Sequence, residues 1–581
     1  MSADQFTNFA ITTLAGGGSG PGGALLPGDT TAVVVAGTGA LFPATSAGTF
    51  RALLIAPGNL TEIVICTART TDTFTLTRAQ EGTTAPTSWP IGTTVLHNIT
   101  AGNMTNLWNQ VGLLGNNPLS YGAVGNNPAH DDTAGVNAAL AVGTTVIPPG
   151  VTFYISAPLN MTVARSELIG LGRATSQIKQ MATFSGAELI NITADFCSVR
   201  DLTLLGSSSS SSGASVVATG IKLAGARYCC LRNLEGYYLN GYLIEAAVTA
   251  TVTNQGAMIE DIHLLHCNGG IHVLSSAALN NIGQVWMSNL NLEIADGPLD
   301  AVLIEEANDI QISNYGGAAG QGSNTNSALH VKGACGGVLV VNPDIGVYPG
   351  PASAPVALIE STVNGSPNRV TVIGGEINGG AYSLQATAGT NIILSGVQYR
   401  AFTTIGISIE STAGYVLVNG CEFNTTAPAA GSGRYDLNVT NASARVVVNG
   451  GMFRDSFGSG AGQINATCNL VASNHVYFTN NDCENGSLAN CFQGSVLPAL
   501  LKDNPNINPV GSVSVTVGAS PYSVPTKPYP VTYYVSGGTV TSLAVGGVTL
   551  TGITSGPIRV PPQTAFTITH SGAPTVVGFG D

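Results

Sequence analysis

The sequence predicts an all-β chain whose long central part is a parallel β-helix. Three observations lead there. Charged residues make up only 9% of the 581 positions, while glycine alone contributes 74. Helical bundles need charged faces and avoid glycine, so this composition disfavours them. From about residue 195 a unit of the form apolar–x–Asx/Gly–apolar–x–apolar recurs at spacings of 22 to 32 residues. The units read as strand–turn–strand and carry no helical periodicity. A repeat of roughly 20–50 residues is the mark of a solenoid, and β-like units make it a parallel β-helix.

Residues 1–99 form the first element. "TAVVV", "FRALLI", "TEIVICT", "TFTLTR" and "TTVLHNI" alternate or run apolar between Gly and Pro, the pattern of short strands and turns. Residues 100–118 follow as a helical connector, with Met104, Leu107, Trp108, Val111 and Leu114 at helical spacing. The stretch "HDDTAGVNAAL" then places His130, Asp131 and Asp132 side by side before an Ala-rich run. Acidic residues before a helix accept bonds from its free N–H groups and suit its positive end, so the cluster reads as a helix start. A local triplet supplies too few ligands for a metal site.

The solenoid proper spans 119–509. Its bend positions are Asp201, Asn233, Asp261, Asn289, Asn314, Asn342, Gly374, Gly396, Gly420, Gly450 and Asn480. Asn, Asp and Gly are the residues that tolerate a left-handed backbone, which predicts a sharp corner at each. The serine run at 206–215 reads as a loop leaving a coil. Past residue 510 alternating strands with turn residues predict a small antiparallel, sandwich-like β-domain over 510–581.

Charge and cysteine usage exclude several functions. A net charge of -13 argues against nucleic acid, whose binding needs clustered Lys and Arg. No apolar run of about 18 residues is present, so no membrane insertion is expected, and the N-terminus shows no secretory signal. The ten cysteines form no CxxC pair and no zinc spacing. They read as buried free thiols, with the Cys483–Cys491 loop as the exception to watch. No metal and no cofactor is expected.

Two stretches carry a resemblance. "YGAVGNNPAHDDTAGVNAALAVGTTVIPPG", with "LIGLGRATSQI" after it, resembles the entry segment and first coil of pectate-lyase-like, right-handed β-helix proteins. Tyr121, Gly122, Ala123, Gly125, Asp131, Asp132, Thr133, Ala138, Ala139, Pro148, Pro149 and Gly150 match that pattern. The usual Gly-Asp-Gly is replaced here by Asn126–His130. The N-terminal stretch, above all Arg78-Ala79-Gln80-Glu81-Gly82-Thr83-Thr84-Ala85, resembles N-terminal domains of bacteriophage tail fibre and tailspike proteins. The resemblance implies a homotrimer on the virion, assembled in the host cytoplasm. Its N-terminal domain would dock to tail or baseplate proteins, and its shaft would recognise host surface polysaccharide. Fold alone does not establish function.

Candidate chemistry lies on the solenoid. The position two residues after each bend holds Thr203, Glu235, His263, Asn291, Gly316, Asp344, Glu376, Gln398, Glu422, Met452 and Asp482. In parallel coils about 4.8 Å apart these stack as one outward column. Asp344 and Glu376 would then be neighbours, near the roughly 5 Å carboxyl separation of retaining glycosidases. Glu376 and Glu422 would be two coils apart, as in inverting ones. Asp344, Glu376 and Glu422 are therefore the candidate catalytic acids, while glycan binding and plain solvation also fit the column. Gln398, Tyr399, Trp286 and Tyr238 are the candidate glycan contacts, aromatics because they stack on sugar faces. Tyr237, Tyr242 and Tyr348 belong to the same group, and core or subunit packing fits each of these aromatics equally well. Glu293, Asp296, Asp300, Glu305, Glu306 and Asp309 crowd one coil and its loop, which reads as a solvated loop, with a groove wall or a cation site as the alternatives. Polygalacturonase signatures and a recognisable lyase motif are absent, which favours glycoside hydrolysis over elimination if the chain is an enzyme. Three functions remain open: a glycan depolymerase, a non-enzymatic receptor-binding or structural fibre, and a free-standing bacterial polysaccharide enzyme.

Overall fold

The computed structural model describes residues 3–4, 10–46, 48–56, 60–103, 115–207, 219–247, 256–275, 283–294, 299–319, 326–347, 354–424, 434–454, 456–457, 463–464, 466–470, 475–484, 491–494, 498–508 and 510–581. Residues 104–114 of the helical connector expected over 100–118, most of the serine loop, Asp296 and Tyr348 lie outside them. Contacts divide the chain into Met1–Gly115 and Asn116–Asp581.

The first unit is built on an antiparallel sheet that closes on itself. Gly48–Ala56 pairs with Leu60–Thr70 on one side and with Thr94–Leu96 on the other, and Thr73–Gln80, Thr31–Val34 and Ile11–Gly16 complete the ring. Phe42, Phe50 and Phe74 meet at its centre with centroids 5.1 to 5.7 Å apart. One buried carboxylate organises its side. Glu62 takes two bonds from Arg78, at 2.8 and 2.7 Å, one from the Ala79 N–H at 2.8 Å and one from Trp89 Nε1 at 2.6 Å. Burying a charge is costly unless every lone pair is met, and here four donors converge on it. The "RAQEGTTA" stretch therefore has a structural task. Arg78 holds Glu62, and Glu81 accepts from Arg51 at 2.6 Å and from the Gly102 N–H at 2.7 Å.

The second unit is the parallel β-helix. Each coil lays down three strand segments. The first two belong to one continuous sheet of 21 strands folded at a corner, and the third to a sheet of 13. These are called the first, second and third faces. All eleven bend positions have the expected backbone, with φ between 51° and 66°. Asn side chains also bond from coil to coil at the corner. Asn289 Nδ2 reaches Asp261 at 3.0 Å, Asn314 reaches Asn289 at 3.2 Å, and Asn342 reaches Asn314 at 3.3 Å. Four later coils use Gly instead, which adopts that φ at no steric cost.

Inward positions are apolar and fully buried, from Val199 and Leu231 to Val448 and Phe478. At the C-terminal end four rings form a ladder. Tyr399, Phe423, Phe453 and Phe478 succeed one another with centroids 5.1, 4.8 and 5.5 Å apart. The coil rise of about 4.8 Å is itself a good stacking distance, so identical positions on successive coils favour aromatic runs. Nine of the ten cysteines lie buried and none is in a disulfide, Cys483 and Cys491 included. Burial pushes the Cys229 and Cys267 thiols up to about 12, which makes them inert.

The helix Thr133–Val142 turns Val136 and Leu140 into the same core as Ile147, Phe153 and Leu159 of the first coil. Its acidic start differs from the expected cap. Asp132 occupies the N-cap position but makes no side-chain bond to the helix. Its buried carboxylate instead takes the Val124 N–H at 2.7 Å, the Tyr154 N–H at 3.0 Å and His130 Nδ1 at 2.9 Å. Asp131 does the capping, accepting from the Thr133 N–H at 3.1 Å and from Ser156 Oγ at 2.5 Å. The pair thus ties the helix to the first coil.

Two four-stranded antiparallel sheets follow the last coil. They enclose Leu543, Ile558 and Ile568, with Tyr533 stacked on Phe566 at 5.1 Å. The Leu501 N–H of the last coil donates to Pro528 O at 2.8 Å, docking this sandwich on the solenoid.

Candidate functional site: the second-face column and the Trp286 cleft

The register of the second face pairs Thr203 with Glu235, then His263, Asn291, Gly316, Asp344, Glu376, Gln398, Glu422, Met452 and Asp482. The strand places them outward because the bend residue resets the alternation identically in each coil. Asp344 is exposed. Glu376 is half-buried, receives Asn378 Nδ2 at 3.0 Å, and lies 3.5 Å from Arg400 NH1. Arg400 also donates to Gln398 Oε1 at 2.7 Å. Glu422 lies 3.2 Å from Arg454 Nε, and Arg454 lies 3.7 Å from Glu484. Each of the two inner acids is therefore met by an arginine from the following coil.

At the other end of the column a tighter group stands. Glu235 is nearly buried, with Thr203 Oγ1 at 3.2 Å and His263 Nδ1 at 3.1 Å from its two oxygens. The Thr203 hydroxyl also donates to the Arg173 carbonyl. These residues sit in the expected column but were not among the expected catalytic acids.

The four expected glycan contacts scatter. Gln398 is in the column. Tyr399 is not available to a ligand: it is 0% exposed and stacked on Phe423. The alternation that turns Gln398 outward necessarily turns its neighbour inward. Tyr238 sits at the corner after the second face, half-buried, with its ring parallel to His266 at 5.8 Å. It belongs to the coil of Glu235, four coils from Asp344. Trp286 is 41% exposed but stands on the first face, before the bend, so it shares no surface with the acid column.

Trp286 lines a cleft of about 380 Å³ on that first face. Gln284, Asp309, Gln311, Arg369 and Thr371 supply polar groups, and Leu339 and Ile393 apolar ones. Asp309, Gly337 and Arg369 come from successive coils. A Cβ on Gly337 would lie 3.8 Å from Asp309 Oδ1 and 4.0 Å from Arg369 NH2, so the missing side chain leaves the floor of the cleft open between them. An exposed indole flanked by amide, carboxylate and guanidinium groups is the chemistry of sugar recognition: a flat apolar face with hydrogen-bonding groups around it.

Among the described acids around 300, Asp309 is exposed, whereas Asp300, Glu305 and Glu306 are engaged by neighbouring coils. Glu306 is 3% exposed and ties two coils, accepting from Thr362 Oγ1 at 2.5 Å and the Ala334 N–H at 2.9 Å. On the third face His330 lies between two carboxylates, Nδ1 at 2.8 Å from Asp300 and Nε2 at 3.0 Å from Glu360. Burial opposes its charge, but the two carboxylates outweigh it and hold the imidazole above its ordinary value. Glu305 lies 3.5 Å from both His272 Nε2 and Lys332 Nζ, and these neighbours hold its carboxyl low. The physical reason is the coil period: acids that crowd on one coil meet basic partners, His272, His330 and Lys332, from the coils before and after it.

No protein-family model and no curated protein sequence matches the chain. Solved structures do. An N-terminal fragment of bacteriophage Phi29 gene product 12 superposes with a TM-score of 0.54 at 12% identity, over 71% of this chain and 74% of that one. The pre-mature form of that gene product gives 0.48 at 12% identity, over 70% of this chain and 59% of that one. A mutant tailspike protein of E. coli bacteriophage HK620, in complex with a pentasaccharide, gives 0.45 at 9% identity, over 85% and 96%. At such identity the first of these establishes a shared fold, the β-solenoid.

Proposed function

We propose that this chain is a subunit of a bacteriophage tailspike or tail fibre that binds a host surface glycan. In this reading it is a homotrimer on the virion, and its N-terminal unit docks to tail or baseplate proteins. The order of elements supports it: a closed N-terminal sheet, a long solenoid and a terminal sandwich. A phage protein sharing the solenoid fold supports it too. The observation that carries glycan binding is the cleft at Trp286, with an exposed indole beside Gln284, Gln311 and Asp309. Titration of the full chain with purified host surface polysaccharide tests it. Wild type binds, and Trp286→Ala weakens binding at least tenfold while melting at the same temperature. Unchanged affinity in that variant removes the cleft from the reading.

A second reading, cleavage of the glycan by hydrolysis, is favoured by one observation: Asp344 and Glu376 stand in register on neighbouring coils. New reducing ends in the same incubation, lost in Asp344→Asn and Glu376→Gln, support it. Polymer of unchanged size leaves a binding fibre.

A further inference from the structure

We infer that the glycan taken by the Trp286 cleft is acidic, a carboxylated sugar whose carboxylate pairs with Arg369 while a ring lies against the indole. The inference rests on the glycan-binding reading and names the substrate class within it. Its first support is an unspent cation. Arg369 is exposed and lines the cleft, and its guanidinium makes no ion pair or hydrogen bond with any described residue. The arginines of the second face are spent, Arg400 on Glu376 and Arg454 on Glu422.

The second support is the charge of the surrounding face. From Trp286 onward the first-face strand segments 285–288, 310–313, 338–341, 369–373, 391–395, 415–419, 445–449 and 476–479 contain no Asp and no Glu, and the adjoining coil before them carries one, Glu260. This holds in a chain with 32 acids against 19 Lys and Arg. Charges farther than about 8 Å are screened at physiological salt, so a bound anion is governed by this local surface and not by the net charge. A guanidinium meets a carboxylate through two parallel N–H bonds, which gives geometry as well as attraction.

The third support is a repeat of the same chemistry along the axis. Arg369 is in register with Asn391, Tyr415 and then Arg445. Arg445 is also exposed, and its guanidinium lies 5.9 Å from the Tyr415 ring and 5.3 Å from that of Tyr477. Two guanidiniums thus stand in one outward column about 14 Å apart, the second of them beside aromatic rings. That row suits a chain whose anions recur at intervals. Asp309 is the one carboxylate lining the cleft. It would accept sugar hydroxyls and repel a densely charged polymer, which favours a carboxylated sugar over a phosphate-rich one.

The test uses the full chain with three acidic probes, oligogalacturonate, oligomannuronate and oligosialate, each beside its carboxyl-reduced counterpart, plus a polyglycerol phosphate. Expected is binding of at least one acidic probe, weakened at least tenfold by carboxyl reduction. Arg369→Gln removes that difference and Arg369→Lys keeps part of it. Gly337→Val, which fills the cleft floor without changing charge, weakens acidic and reduced forms alike. Binding of reduced and acidic forms with equal affinity, unaffected by Arg369→Gln but lost in Trp286→Ala, overturns the acidic inference and leaves glycan binding standing. Preference for polyglycerol phosphate also overturns it. No binding of any probe overturns both.

Discussion

Asp344 and Glu376 face the same way from adjacent coils, yet Glu376 turns to Arg400, 3.5 Å away, while Asp344 stays exposed. The two acids therefore differ in environment despite equal register. The pair with Arg400 lies near the surface, and such pairs are worth about 0–1 kcal/mol. Glu376→Gln should lower stability by no more than that in urea unfolding. Loss of any polymer-cleaving activity in this variant then reports on chemistry and not on folding. A large drop in stability would mean that Glu376 holds the coil together.

At the corner of the solenoid, Asn314 has φ 51°, bonds Asn289 and receives Asn342. Alanine pays about 1–2 kcal/mol for a left-handed backbone that glycine adopts freely. Both substitutions lose the side-chain bonds, worth about 1 kcal/mol each. Asn314→Ala should therefore destabilise more than Asn314→Gly, by about 1 kcal/mol. Equal losses would show that the ladder and not the backbone dominates.

Inside the ladder of rings, the Tyr399 hydroxyl is buried with no hydrogen-bond partner among the described residues. A buried donor without a partner costs about 1–3 kcal/mol. Tyr399→Phe should raise the melting temperature and leave glycan affinity unchanged, whereas Tyr399→Ala should cost about 3–5 kcal/mol. Lower stability in the phenylalanine variant would reveal a partner for the hydroxyl.

His330 supplies a pH dependence. Its folded value is raised above 6.5 by Asp300 and Glu360. A raised value means that its contribution is fully present below 6.5 and is lost as pH climbs through the folded value. Charged hydrogen bonds of this kind are worth about 2 kcal/mol. Melting temperatures of wild type and His330→Gln should differ most on the acid side of 6.5 and converge as pH rises. A constant difference across that range would assign His330 a packing role alone.

Much of the fold was legible because the solenoid repeats. Eleven Asx or Gly residues in one local pattern marked eleven left-handed corners, and counting two residues onward from each gave the outward column in its true register. The same counting, carried one residue further, assigns Tyr399 to the core. The cleft was not legible in this way. Trp286 lies three residues before its bend, on a surface that the corner turns away from the column, and the cleft floor depends on the side chain Gly337 lacks. Partners were hidden for the same reason. Asp300, His330 and Glu360 are thirty residues apart in sequence and within 3.0 Å in space, because that interval is one coil. The "RAQEGTTA" stretch was recognised by likeness, while its task became visible only with Glu62 beside Arg78.

The most direct test of glycan recognition on the first face is a crystal structure of the chain with an oligosaccharide cut from its host's surface polysaccharide. A sugar ring against the Trp286 indole, with polar contacts to Arg369 and Asp309, is the predicted result. Saccharide along Asp344, Glu376 and Glu422 with the cleft empty, or Trp286 buried against another subunit, would contradict it.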